Sequence, residues 1–151
     1  DRIRHSLIKV SRHGVVGGLI FIDLDNFKLM NDNLGHIIGD ELLIEVALKL
    51  RKTVREEDTV ARIGGDEFIV LADCVGNDKE EARKNMQILA KKIKDSINSI
   101  TEISGHKNIA TPSIGITLFN DSSVTVNEII KQADSAMYNA KKAGKNTIEF
   151  F

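Results

Sequence analysis

The chain has one cysteine, Cys74, and one proline, Pro112, in 151 residues. A lone cysteine cannot form an internal disulfide, which points to a reducing compartment, and Cys74 itself reads as a small apolar filler at a strand end. Neither Gly-x-x-x-x-Gly-Lys nor Gly-x-Gly-x-x-Gly occurs, so the two commonest nucleotide-binding folds are disfavoured. Charge of one sign is also lacking: 21 basic residues face 22 acidic ones. That balance gives no overall attraction to nucleic acid or to an anionic membrane, so no nucleic-acid partner is expected and any phosphate binding must be local. The longest apolar run, Val15 to Ile22, contains two glycines and is too short to cross a bilayer, and no signal peptide opens the chain. A cytoplasmic protein, or the cytoplasmic part of a membrane-anchored one, is expected. There is no internal repeat, low-complexity tract or linker. With 42% hydrophobic and 28% charged residues, residues 1–151 read as one globular domain.

What is present is organised around Thr59 to Leu71. Two short apolar strands are joined there by Gly64-Gly65-Asp66-Glu67, a hairpin with carboxylates at its tip, and the glycines are expected to supply positive φ angles. Neighbouring acids repel each other at neutral pH unless a positive charge, such as a divalent metal, sits near them. By itself such a tip is also what an ordinary polar turn looks like.

Upstream, Asp1 to Arg12 place Ile3, Leu7, Ile8 and Val10 near one helical face. Leu19 to Ile22 read as a strand buried on both faces, running directly into Asp23-Leu24-Asp25. A carboxylate ending a buried strand is costly without a partner, and period-two alternation puts Asp23 and Asp25 on one side with Leu24 pointing away. A short helix capped by Asp25 or Asn26 is expected to Leu34, then a longer one over residues 38–54 with Leu42, Leu43, Val46, Ala47, Leu50 and Val54 inward.

Past the hairpin, Gly76-Asn77-Asp78 start a helix burying Ala82, Met86, Leu89, Ala90, Ile93 and Ile97, with lysines 91, 92 and 94 solvated. Ser99 to Asn108 form a loop or irregular ribbon. From Pro112 a strand buries Ile114, Ile116 and Leu118. Thr125 with Glu128 is a capping box opening a helix with the stripe Val126, Ile129, Ile130, Ala133, Met137 and Ala140. Gly144 stops it and residues 147–150 form a last strand. The order α-β-α-α-β-β-α-β-α-β gives an α+β protein with a mixed sheet and helices packed on it.

Taken together, the motifs resemble the GGDEF domain of diguanylate cyclases, which condense two GTP molecules into cyclic di-GMP. The signature Gly64-Gly65-Asp66-Glu67-Phe68 is complete. It is joined by Asp23-Leu24-Asp25-Asn26-Phe27-Lys28, Asn31-Asp32, Leu34-Gly35-His36, Gly39-Asp40, Ser113-Ile114-Gly115, Ala133-Asp134, Ala136-Met137-Tyr138, Ala140-Lys141 and Gly144-Lys145-Asn146. The wording of residues 23–28 and 146–151 is most similar to GGDEF halves of tandem GGDEF–EAL proteins. Such a resemblance implies a largely antiparallel sheet of about five strands flanked by helices, the nucleotidyl cyclase or polymerase palm (ferredoxin-like) arrangement.

The resemblance also implies roles. Two Mg²⁺ or Mn²⁺ ions would be held by Asp23, the Leu24 carbonyl, Asp66 and Glu67, with Asp66 activating the attacking 3′-hydroxyl. Asn31 and Asp40 would bind the guanine edge with His36 lining the pocket. Lys141 and Lys145, placed on one helical face if the last turn persists, would meet the β and γ phosphates together with the Asn26 and Phe27 amides and Lys28. Arg55 and Asp58 stand at the family's inhibitory site for the product, where the same letters could equally spell an exposed ion pair at a helix end. The implied protein is a homodimer in which each subunit binds one GTP and two subunits face each other for catalysis, fused to EAL and sensor domains. The chain lacks the family's usual Asp-x-Leu-Thr-Gly-Leu-x-Asn-Arg segment ahead of the first strand, and Lys145 stands where Arg is frequent. Besides a cyclase, a GTP-sensing module regulating an EAL phosphodiesterase domain fits these letters; a purely structural module would leave the acid at the strand end unexplained.

Overall fold

A computed structural model describes residues 2–151. The order is α1 (Arg2–His13), β1 (Val16–Asp25), α2 (Phe27–Leu34), α3 (His36–Thr53), β2 (Thr59–Arg62), β3 (Glu67–Gly76), α4 (Lys79–Asn98), β4 (Glu102–Ile103), β5 (His106–Lys107), β6 (Thr111–Phe119), α5 (Val126–Lys142) and β7 (Ile148–Phe150). Five strands form one sheet in the order β2-β3-β1-β6-β7, and β4 with β5 makes a separate ribbon where an irregular one is expected. All pairings in the main sheet are antiparallel except β6 with β7. This is the expected mixed, largely antiparallel α+β architecture.

Alternation along the central strand divides the core. Ile20, Ile22 and Leu24 of β1 join Phe68 and Val70 of β3 and Ile114 and Ile116 of β6 beneath α3 and α4. Leu19 and Phe21, with Ile69 and Leu71, face α1 and α5 instead. Asp23 and Asp25 share the odd-numbered face, so the acids belong to the α5 side. Gly115 lets α5 approach there. A Cβ at this position would stand 2.2 Å from the Ala133 carbonyl oxygen and the Met137 amide nitrogen.

The capping box at α5 is formed by Thr125 and Glu128, and Asp78 caps α4 by accepting from the Glu81 amide. Five local expectations differ. Ile8 is exposed, while Ile3, Leu7 and Val10 form the buried face of α1. Asn26 is the N-cap of α2 but sits in left-handed backbone and makes no side-chain capping bond, while Asp25 is occupied elsewhere. Helix α3 starts at His36, two residues early. Gly64 and Gly65 do not have positive φ; a Cβ on Gly64 would meet only the Glu67 side chain, whose flexible carboxylate end lies 2.5 Å away. Cys74 is exposed: between the pairs Val16↔Gly76 and Gly18↔Ala72 the register shifts, and the bulge turns it out of the alternation that fills the core.

Candidate active site

The site forms where β1 ends, β3 begins and α5 finishes. Asp23 pairs in register with Glu67 on one side and Ser113 on the other. The Leu24 amide donates to the Asp66 carbonyl at 3.2 Å, tying the hairpin tip to the strand end. Lys141 reaches the same spot from α5: its Nζ lies 3.5 Å from Asp23 Oδ1 and 3.1 Å from Asp25 Oδ1.

Charge is concentrated here. Burial, the neighbouring Asp66 carboxylate and a hydrogen bond between the two carboxyl groups push Asp23 up to about 7 against the pull of Lys141. Burial, Asp66 and Asp134 raise Glu67 as well, again opposed by Lys141. Asp134 lies seven residues before Lys141, two helical turns away, and that spacing is the signal by which the sequence could have placed it in this field. For Asp25, burial works to raise the pKa, but hydrogen bonds from Ser113, Thr111, the Asn146 amide and Lys141 outweigh it and hold the group below its ordinary value.

Carboxylate oxygens at strand ends are the donor set of a hard divalent cation. Among the described residues no three His, Cys, Asp or Glu side chains are gathered closely enough to make a metal cage unaided. Magnesium does not require one, since it binds through one or two carboxylates and keeps water and substrate phosphates as its other ligands. The acids therefore fit such an ion as open, partly furnished ligands.

The remaining residues singled out from sequence fall into three groups. Asn31 on α2 packs against Gly39 of α3: a Cβ on Gly39 would lie only 1.7 Å from Asn31 Oδ1, and that oxygen is buried with no hydrogen-bond partner among the described residues. Asp40 follows Gly39 and is exposed, as is His36 at the start of the same helix. Phe27 opens α2 and is buried, whereas Asn26 and Lys28 flank it at the surface. Lys145 does not share a helical face with Lys141, because α5 ends at Lys142 and Lys145 takes φ 65° in the turn that follows.

Arg55 and Asp58 lie away from this cluster. Asp58 has a fully buried side chain, and Arg55 grips it through Nη2 to Oδ1 at 3.2 Å and its own amide to Oδ2 at 3.0 Å, while Nη2 also donates to the Cys74 carbonyl at 3.1 Å. The pair borders a cavity of about 410 Å³ that also touches Asn77, Asn85 and Lys92. It is not the wholly exposed pair that the letters alone could describe.

Comparison with known proteins gives one consistent picture. The family profile described as "Diguanylate cyclase, GGDEF domain" matches residues 1–147. Over 151 residues the chain is 40% identical to the bifunctional diguanylate cyclase/cyclic di-GMP phosphodiesterase MucR of Pseudomonas aeruginosa, covering 100% of this chain and 21% of MucR. It is 38% identical over 133 residues to the cyclic di-GMP phosphodiesterase NbdA of the same organism, covering 88% of this chain and 16% of NbdA. The chain thus spans about a fifth or less of these relatives. The solved GGDEF domain of TpbB from Pseudomonas aeruginosa superposes with a TM-score of 0.89 at 33% identity, covering 99% of this chain and 84% of that one. No helix among the described residues is long and apolar enough to cross a membrane. With its signature tip pinned to the end of the central strand and the family profile matching almost its whole length, this chain belongs to the GGDEF domain family.

Proposed function

We propose that the chain is the diguanylate cyclase module of a longer signalling protein, joining two GTP molecules into cyclic di-GMP and releasing two pyrophosphates at the interface of two copies. The observation that carries this reading is the meeting of Asp23, Asp66, Glu67 and Lys141 at one end of the sheet. Two Mg²⁺ or Mn²⁺ ions, held by Asp23, the Leu24 carbonyl, Asp66 and Glu67, would supply Lewis-acid polarisation of the α-phosphate and of the attacking hydroxyl.

The chain's own residues would do the rest. Asp66 takes the proton of one nucleotide's 3′-hydroxyl as its oxygen forms a bond to the other's α-phosphorus and the bond to pyrophosphate breaks. Lys141 has three donors; two face Asp23 and Asp25, and the third is available to a phosphate oxygen. Lys145, Lys28 and the amides of Asn26 and Phe27 add positive potential at the N-terminal end of α2. Asp40 and Asn31, with His36 beside them, would read the guanine edge; an acceptor pair for its N1 and N2 hydrogens discriminates against adenine. Each copy holds one nucleotide, so the dimer completes the reaction. Arg55 and Asp58 are assigned to product inhibition by cyclic di-GMP, supported by the adjoining cavity.

A second reading, a GTP-binding regulator of a neighbouring EAL domain, is supported by the likeness to NbdA. Incubating the dimerised protein with GTP and Mg²⁺ and separating the products distinguishes the two. Cyclic di-GMP from the wild type and none from Asp66→Ala supports the cyclase; GTP binding without product in either selects the regulator.

A further inference from the structure

We propose that Asp25 is the positioning residue of the triphosphate site, a buried carboxylate that sets Lys141 and the turn carrying Lys145 at once. This rests on the cyclase reading above and goes beyond it, since Asp25 touches neither base nor reacting atoms. Its exposure is 0%. Both oxygens are fully engaged by protein donors: Oδ1 accepts from Ser113 Oγ at 2.6 Å and Lys141 Nζ at 3.1 Å, and Oδ2 accepts from Thr111 Oγ1 at 2.7 Å and the Asn146 amide at 3.0 Å. A buried carboxylate is tolerated only when saturated in this way, and saturation leaves no lone pair for a metal or a substrate. Asp25 must therefore act through the groups it holds.

Those groups are the ones that matter for phosphate. Lys141 is fixed by Asp25 more closely than by Asp23. Past the helix, Gly144, Lys145 and Asn146 all take positive φ, at 117°, 65° and 49°. For residues with side chains this backbone is unfavourable, less so for Asn than for Lys, so the turn needs an anchor outside itself. The Asn146 amide on Asp25 provides one from the sheet, beside the Lys145 amide on the Ala140 carbonyl at 3.1 Å and Asn98 Nδ2 of α4, which donates to Asn146 Oδ1 at 2.8 Å. Asp25 is the side chain on the central strand that holds both Lys141 and the turn carrying Lys145. Asparagine at this position would present an NH₂ group to two donors and remove the charge facing Lys141, releasing the lysine toward Asp23.

The test measures equilibrium binding of 3′-deoxy-GTP and 3′-deoxy-GMP, which lack the attacking hydroxyl, in Mg²⁺ buffer. The wild type is expected to prefer the triphosphate. Asp25→Asn should cut that preference about tenfold, the scale of one charge-assisted hydrogen bond, with monophosphate affinity unchanged and no further loss when combined with Lys141→Ala. If Asp25→Asn does not fold, Thr111→Val, which removes one donor from the same carboxylate, should give the same pattern at about threefold. Equal weakening of both nucleotides, or an unchanged preference, overturns the proposal and leaves the cyclase reading standing. A wild type that binds neither nucleotide overturns both.

Discussion

The Leu24 amide donates to the Asp66 carbonyl at 3.2 Å, which holds the backbones carrying Asp66 and Asp23 together and leaves their carboxylates close enough to share a hydrogen bond. Lys141 relieves only part of their repulsion, and a proton or a divalent cation relieves more.

The first prediction is a pH-dependent response to Mg²⁺. The folded-state pKa of Asp23 is about 7, above its ordinary 3.8. The folded state therefore binds more protons than the unfolded one between those values. Stability from this group falls as pH rises from about 4 to 7, and the penalty persists above that window. Mg²⁺ should raise the melting temperature more at pH 8 than at pH 5.5, by several degrees in a domain of this size. Scanning fluorimetry at the two pH values measures it; equal shifts would contradict the argument.

Asp25 has the opposite sign. Its pKa is held below the ordinary value, so its contribution is complete above about pH 4 and is lost as pH falls through the lowered folded value. Asp25→Asn should therefore lose stability at pH 7 and narrow its deficit toward pH 2. Denaturation midpoints across that range check this, and a deficit independent of pH would refute it.

Gly115 carries a packing prediction. A methyl group there meets helix backbone rather than a flexible side chain, so Gly115→Ala should cost about 2–3 kcal/mol and displace α5 with Lys141. Urea unfolding with an unchanged midpoint would show that the helix yields freely.

The sequence allowed some of this to be read and hid the rest for identifiable reasons. Asp23 and Asp25 fall on one face because strands alternate, and the Thr125 capping box and the α4 stripe are local signals. The partners of Asp25 are not local: Thr111, Ser113, Lys141 and Asn146 lie 86 to 121 residues away. Only tertiary structure brings them to it, which is why Asp25 reads as a cap in the sequence. The shared face of Lys141 and Lys145 depends on a last helical turn that does not persist: Gly144 signals the break, but nothing in the letters signals that residues 145 and 146 continue in left-handed backbone. Gly64 and Gly65 turn without positive φ, which the letters of a tight turn do not reveal. Cys74 escapes the core through a bulge that alternation cannot foresee.

At the second site, burial changes the expected energetics. Arg55 is half-exposed but Asp58 is not exposed at all, so Arg55→Ala leaves a buried carboxylate without its guanidinium. The loss should be about 2 kcal/mol, more than the ~0–1 kcal/mol of a surface pair. A denaturation shift below about 0.5 kcal/mol would place Arg55 among ordinary surface pairs.

The most direct test of the central claim, that Asp23 and Asp66 meet to bind divalent cations for a nucleotide, is a Mn²⁺ titration followed by the electron paramagnetic resonance signal of the free ion. Wild-type protein is predicted to deplete that signal, and Asp23→Ala and Asp66→Ala should each restore most of it. Equal Mn²⁺ binding by all three proteins would contradict the account.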